Sequence, residues 1–184
     1  MQFSTTLATT IMALASVATA IPLKLKAELR YYPEQGPFYL YTEYEDYNLQ
    51  YAFLKSIGTE FDFDPETGNI TSQVKTYNYT LGANVTEHEW PWAKIEEKPP
   101  VNTKFVFDEY DRIHPVINDE KASFYVAKNV SDTFGYSKGE DAAYGVAILT
   151  KPVYNYGFEG LINGSYINVT PEWLDGETHS FSSV

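Results

Sequence analysis

The chain has 184 residues, a formal net charge of −12 at pH 7 and no cysteine. That length suits one domain with a real core, no disulfide can staple it, and the acidity opposes nucleic acid and anionic membranes as partners. Sixteen tyrosines and eleven phenylalanines argue against disorder, whose mark is a scarcity of aromatics.

Residues 1–20 read as a signal peptide. Ile11-Met12-Ala13-Leu14-Ala15 forms a short apolar core, and Ala18 and Ala20 supply the small residues at −3 and −1 of a cleavage site. Only the α-amino group is positive in this stretch. The apolar part falls short of the roughly 20 residues a membrane-spanning helix needs. Residues 21–184 then form the expected mature β domain, which keeps every charged side chain. It has no second apolar stretch of membrane length, and its last residues carry neither a GPI tail nor an ER-retention tetrapeptide. The expected location is outside the cell, in the medium or the wall.

Downstream, apolar residues come in short runs with period-two alternation, bounded by Gly, Pro, Asn and Asp. Strands are predicted at Phe38 to Thr42, Leu49 to Leu54, Glu60 to Phe63, Ile70 to Val74 and Thr76 to Leu81. Asp64-Pro65-Glu66-Thr67-Gly68-Asn69 suits a hairpin turn. Between Gly82 and Pro100 the pattern weakens around Trp90-Pro91-Trp92 and Lys98-Pro99-Pro100, which predicts a loop or edge excursion with Trp90 and Trp92 partly exposed. Strands resume at Lys104 to Phe107, Ile113 to Ile117 and Ala122 to Ala127, with a turn at Asn118 to Lys121. After a polar loop at Asp132 to Asp141 come Tyr144 to Leu149, Val153 to Phe158 and Ser165 to Val169. About ten strands at 8–12-residue spacing predict an all-β fold, a single antiparallel β-sandwich or barrel-like domain.

Six Asn-X-Ser/Thr triplets occur, at Asn69, Asn78, Asn84, Asn129, Asn163 and Asn168. In an exported chain they are candidate glycan acceptors and must face solvent to be used. Asn69 and Asn129 fall in predicted turns and are the best placed. Asn168 is the poorest, since Pro171 follows its Thr170.

Gly135-Tyr136-Ser137-Lys138-Gly139 matches GxSxG, and Ser137, Asp175 and His179 follow the order of an α/β-hydrolase triad. Secreted cutinase-like esterases carry a similar string. The surroundings oppose an esterase, because no apolar strand precedes the motif, no helix follows it, and alternating β and α elements are missing. His88, His114 and His179 belong to no zinc motif. Asp62 to Gly68 has a superficial likeness to a calcium loop, but its Gly stands one position late and Gln73 replaces the bidentate Glu. No metal and no cofactor is therefore expected. Among 25 acidic residues nothing singles out a glycosidase pair. Trp90 and Trp92 are candidate sugar-stacking rings, which would make cell-wall polysaccharide a partner; the other aromatic rings are expected to fill the core.

Three stretches resemble small secreted fungal cell-wall proteins of the phialide-associated and IgE-binding type. Pro37 to Tyr41 with Leu49 to Ala52 is similar to their first strand pair. Thr103 to Asp108 with Ile113 to Ile117 is similar to their central strands, and Ala122 to Ala127 followed by Tyr144 to Ile148 to their ending. Where those proteins carry a cysteine after the Phe-Tyr pair, this chain has Val126-Ala127. The resemblance implies an extracellular, wall-associated β protein with no catalytic residues to carry over. The expected function is thus that of a non-enzymatic secreted glycoprotein, with a carbohydrate-binding module or a serine esterase as alternatives.

Overall fold

The computed structural model describes residues 19–46, 49–74, 77–83, 90–96, 102–131, 134–139, 141–152 and 160–181. Most of the predicted leader, the sequon at Asn84, His88 and the predicted strand from Val153 to Phe158 lie outside the described residues.

The architecture is all-β: strands make up 59% of the described residues, and the main sheet closes into a barrel. The strands are β1 (Ile21–Leu29), β2 (Phe38–Asp46), β3 (Leu49–Lys55), β4 (Phe61–Asp64), β5 (Asn69–Val74), β6 (Tyr77–Ala83), β7 (Ala93–Glu96), β8 (Thr103–Phe107), β9 (Ile113–Ile117), β10 (Glu120–Lys121), β11 (Ser123–Lys128), β12 (Tyr144–Leu149) and β13 (Ile162–Trp173). Ten of them form one antiparallel sheet in the order β12-β11-β13-β1-β2-β3-β7-β6-β5-β4. Two further pairings, β12 with β3 and β1 with β4, close it on itself. Nine strands complete the ring, and β2 bridges β1 and β3. Closure removes the open edges that would otherwise template aggregation.

The hub is β1, for which no strand was predicted. Leu23, Leu25, Ala27 and Leu29 are buried and alternate with the more accessible Lys24, Lys26 and Glu28. Seven residues pair with β13, from Leu23 opposite Trp173 to Leu29 opposite Ile167. The opposite edge of β1 is shared: Ile21 to Leu23 meet β4, while Lys26 and Ala27 meet β2. A second correction concerns β7. The predicted loop contains this short strand, which pairs with both β3 and β6 and buries Ala93 and Ile95.

The hairpin between β4 and β5 forms as expected. Asp64 accepts the Glu66 backbone N–H and the Thr67 hydroxyl, and Gly68 adopts φ +73° to end the turn. The Thr67 hydroxyl, helped by backbone N–H groups, holds the Asp64 carboxyl below its ordinary value. This carboxylate is therefore consumed in building the turn. The three-stranded sheet β10-β9-β8 sets Phe105, Phe107, Ile113 and Ile117 into the main core, with Phe105 stacked on Phe124 at 6.2 Å.

Strict alternation divides β3, β11 and β12 between two cores. Ala52, Leu54, Phe124, Val126, Val146 and Ile148 face the barrel interior. Phe53, Tyr125, Ala127, Ala147 and Leu149 face outward, and they are buried as well. A strand with two apolar faces needs a cover on each. The outer cover is the segment carrying Trp90 and Trp92.

Candidate functional site

Trp90 and Trp92 are 5% and 4% exposed, which corrects their placement as partly exposed sugar-stacking rings. Trp92 lies parallel to Tyr51 at 4.4 Å, tilts onto Phe53 at 5.3 Å, and donates its indole N–H to the Ser131 carbonyl at 3.2 Å. Trp90 meets Tyr125 at 6.1 Å, and Tyr125 meets Tyr166 at 5.1 Å. The backbone fixes the strap too: Ile148 N–H donates to the Pro91 carbonyl at 3.0 Å, and Trp92 bridges Ala147. Gly145 forms the floor, because a Cβ there would stand 2.8 Å from the Trp92 ring. With their faces covered by protein, these rings offer no platform to a pyranose.

The GxSxG segment is a surface turn with a buried serine. Gly135 and Gly139 adopt φ +74° and +97°, so both glycines are needed by the turn. Ser137 is fully buried and its hydroxyl donates to the Val130 carbonyl at 2.9 Å. The Ser137 carbonyl in turn accepts the Asn129 N–H at 2.6 Å. A hydrolase elbow has the opposite design, with an exposed hydroxyl aimed at a base.

Asp175 and His179 do meet, at 2.7 Å, in the C-terminal turn beside Trp173 and Phe181. The imidazole nitrogen engaged is Nε2, which a catalytic triad turns toward the serine. Asp175 Oδ1 accepts the Glu177 N–H, and this bond together with His179 keeps the Asp175 carboxyl below its ordinary value. Asp175, Glu177 and His179 place one ligand atom each within 4.8 Å of one another, all on this accessible turn. The serine and the Asp-His pair thus serve separate local structures. Ser137→Ala is expected to lower stability by about 1 kcal/mol, the worth of one buried hydroxyl bond, in a denaturant titration. Any ester turnover shown by the wild type is expected to persist in that variant.

The sequon asparagines sort by exposure. Asn78, Asn129 and Asn163 are exposed, whereas Asn69 and Asn168 are half-buried. Asn129 and Asn163 stand at φ 59° and 52°, one at the end of β11 and one in β13, next to the paired residues Lys128 and Ile162. Asn129 Nδ2 donates to the Gly160 carbonyl at 2.8 Å, and Asn168 Oδ1 accepts from the Arg30 Nε at 2.9 Å.

Among the described residues, a groove combines volume with a single sign of charge. Its volume is about 340 Å³, and it is lined by Arg30, Lys121 and Lys151 and by the hydroxyl-bearing Ser123, Thr150 and Tyr166, with no carboxylate in its wall among the described residues. A water-sized recess of about 10 Å³ shares Arg30 and Ser123 and adds Arg112 and His114. There Asp108 accepts from Arg112 Nε at 2.8 Å and from His114 Nε2 at 3.0 Å. These cations are scattered from residue 30 to residue 151, so no local motif announces them. Compared with family models, curated proteins and solved structures, the chain finds no match in any of the three.

Proposed function

We propose that the chain is a non-catalytic extracellular glycoprotein, exported by its leader and held at a cell surface or a fungal-type wall. The observation that carries this reading is the position of β1. It starts at Ile21, the first residue after the predicted cleavage site, and Pro22 already accepts a backbone bond from Leu174 at 2.9 Å. Cleavage after Ala20 would therefore leave the hub strand whole. Exposed sequons at Asn78, Asn129 and Asn163 support the same reading, since oligosaccharyl transfer needs an accessible asparagine. The buried Ser137 hydroxyl takes away the support for the esterase alternative, and the buried indoles take it from a Trp90/Trp92 carbohydrate-binding module.

Expression of the whole chain in a eukaryotic secretory host tests the proposal. The expected product appears in wall or medium with Ile21 as its N-terminus, and glycosidase treatment lowers its mass. Asn129→Gln and Asn163→Gln should each remove one glycan step. Recovery only from the cytoplasm, with the leader intact, would overturn the reading.

A further inference from the structure

The chain has 25 acidic residues against 13 basic ones, and its only arginines are Arg30 and Arg112. Both stand beside the groove described above, together with Lys121 and Lys151. We propose that this groove binds a small hydroxylated anion, a sugar carboxylate or sugar phosphate. Arg30, Lys121 and Lys151 would hold the charged group, and Ser123, Thr150 and Tyr166 the ligand hydroxyls. The proposal stands apart from the extracellular reading, because the groove would take the same anion in any compartment.

Three observations carry it. The volume, about 340 Å³, lies at the small-ligand end of the pocket range of roughly 300–1,000 Å³. The Arg30 guanidinium is already oriented, since its Nε donates to Asn168 at 2.9 Å and it lies 5.9 Å from the centre of the Tyr166 ring. A fork held in place loses less freedom on gripping a carboxylate or phosphate. Neither Arg30 nor Lys121 has an acidic partner among the described residues.

Charge also decides how large the anion can be. At physiological salt, charges are screened beyond about 8 Å. A ligand confined to the groove feels its three cations and little of the overall −12. A polyanion or an anionic bilayer reaches over the acidic surface around it and is repelled. The groove therefore selects a compact anion over an extended one.

Titration calorimetry of the purified whole chain tests this with galacturonate, glucose 6-phosphate and the neutral methyl galactoside. At about 25 mM salt one or both anions should saturate a single site, more weakly at about 150 mM, while the neutral sugar gives no signal. Saturation by one anion alone identifies its group as the ligand chemistry. Saturation by both assigns the shared negative charge. Arg30→Gln and Lys121→Gln should each weaken binding about tenfold, or 1.4 kcal/mol. Lys121 is an exposed side chain, so its variant keeps the fold and the test valid even if Arg30→Gln is perturbed. Lys55→Gln serves as the control, because that cation is paired with Glu43 over the Tyr41 ring, outside the groove. No saturation by either anion up to about 10 mM, equal binding of the neutral sugar, or full affinity in Lys121→Gln overturns the proposal.

Discussion

Trp92→Ala is expected to lower unfolding stability by about 3–5 kcal/mol, the usual loss for a buried aromatic truncated to Ala. The indole joins Tyr51, Phe53 and Trp90, ties to the Ser131 carbonyl, and rests on the Gly145 backbone. Its removal opens a void, and the outward faces of Phe53 and Ala147 lose their cover. For a chain of this size, about 4 kcal/mol lowers the melting temperature by on the order of 10 °C. A sugar-stacking ring on the surface would behave differently, because surface truncations usually stay within about 0.5 kcal/mol. Chemical denaturation of wild type and variant separates these outcomes. An unchanged midpoint would show that the strap is not part of the core.

The burial of Trp92 shows which parts of the fold the sequence makes readable. Alternation in Phe38 to Thr42, Leu49 to Leu54 and Ile113 to Ile117 is a local property, and it places strands wherever side chains divide between core and solvent. Alternation was also present in β1, where Leu23, Leu25 and Leu29 interleave with Lys24, Lys26 and Glu28. It runs on directly from the apolar leader, which blurs where the alternation begins. Four-residue β7 is too short to show a period, and the prolines around it argue for a loop. They only limit its length, since Ala93 to Glu96 contains none. The unbroken apolar run of Tyr144 to Leu149 was the available sign that a second layer covers the barrel. All six of its residues are buried, and Trp90 and Trp92 belong to the cluster that covers their outer face. The cationic groove gave no such sign. Arg30 comes to line one groove with Tyr166 and Lys151 through the pairings of β1 with β13, β13 with β11 and β11 with β12, while Lys121 enters from β10 just ahead of β11, so the cluster is set by the closed sheet rather than by neighbouring residues.

Asp108→Asn is expected to be the most destabilising exchange that leaves shape nearly unchanged. Partial burial by itself would raise the Asp108 carboxyl. Hydrogen bonds from His114, from the Arg112 and Tyr110 backbone N–H groups and from the Arg112 guanidinium outweigh that effect, so the carboxyl titrates well below the usual carboxylate range. These bonds fix the reversal between β8 and β9, where Asp108 N–H also donates to the Arg112 carbonyl at 3.0 Å. An amide cannot accept from all of these donors with the strength of an anion, and a hydrogen bond to a charged group contributes about 1.5–3 kcal/mol. A loss of about 2 kcal/mol at pH 7 follows. The sign of the pH dependence is set by the depressed folded-state value. Stabilisation by Asp108 is complete above its unfolded value of about 3.9 and declines as the pH falls toward the lower folded value. Wild type and Asp108→Asn should therefore differ most at neutral pH and converge as the pH drops from about 5 toward 2. Urea midpoints measured across that range provide the check. A gap that stays constant with pH would mean that packing of the loop, and not the ionised carboxylate, carries the effect, whereas convergence would locate the acid sensitivity of this turn in the ionised carboxylate of Asp108.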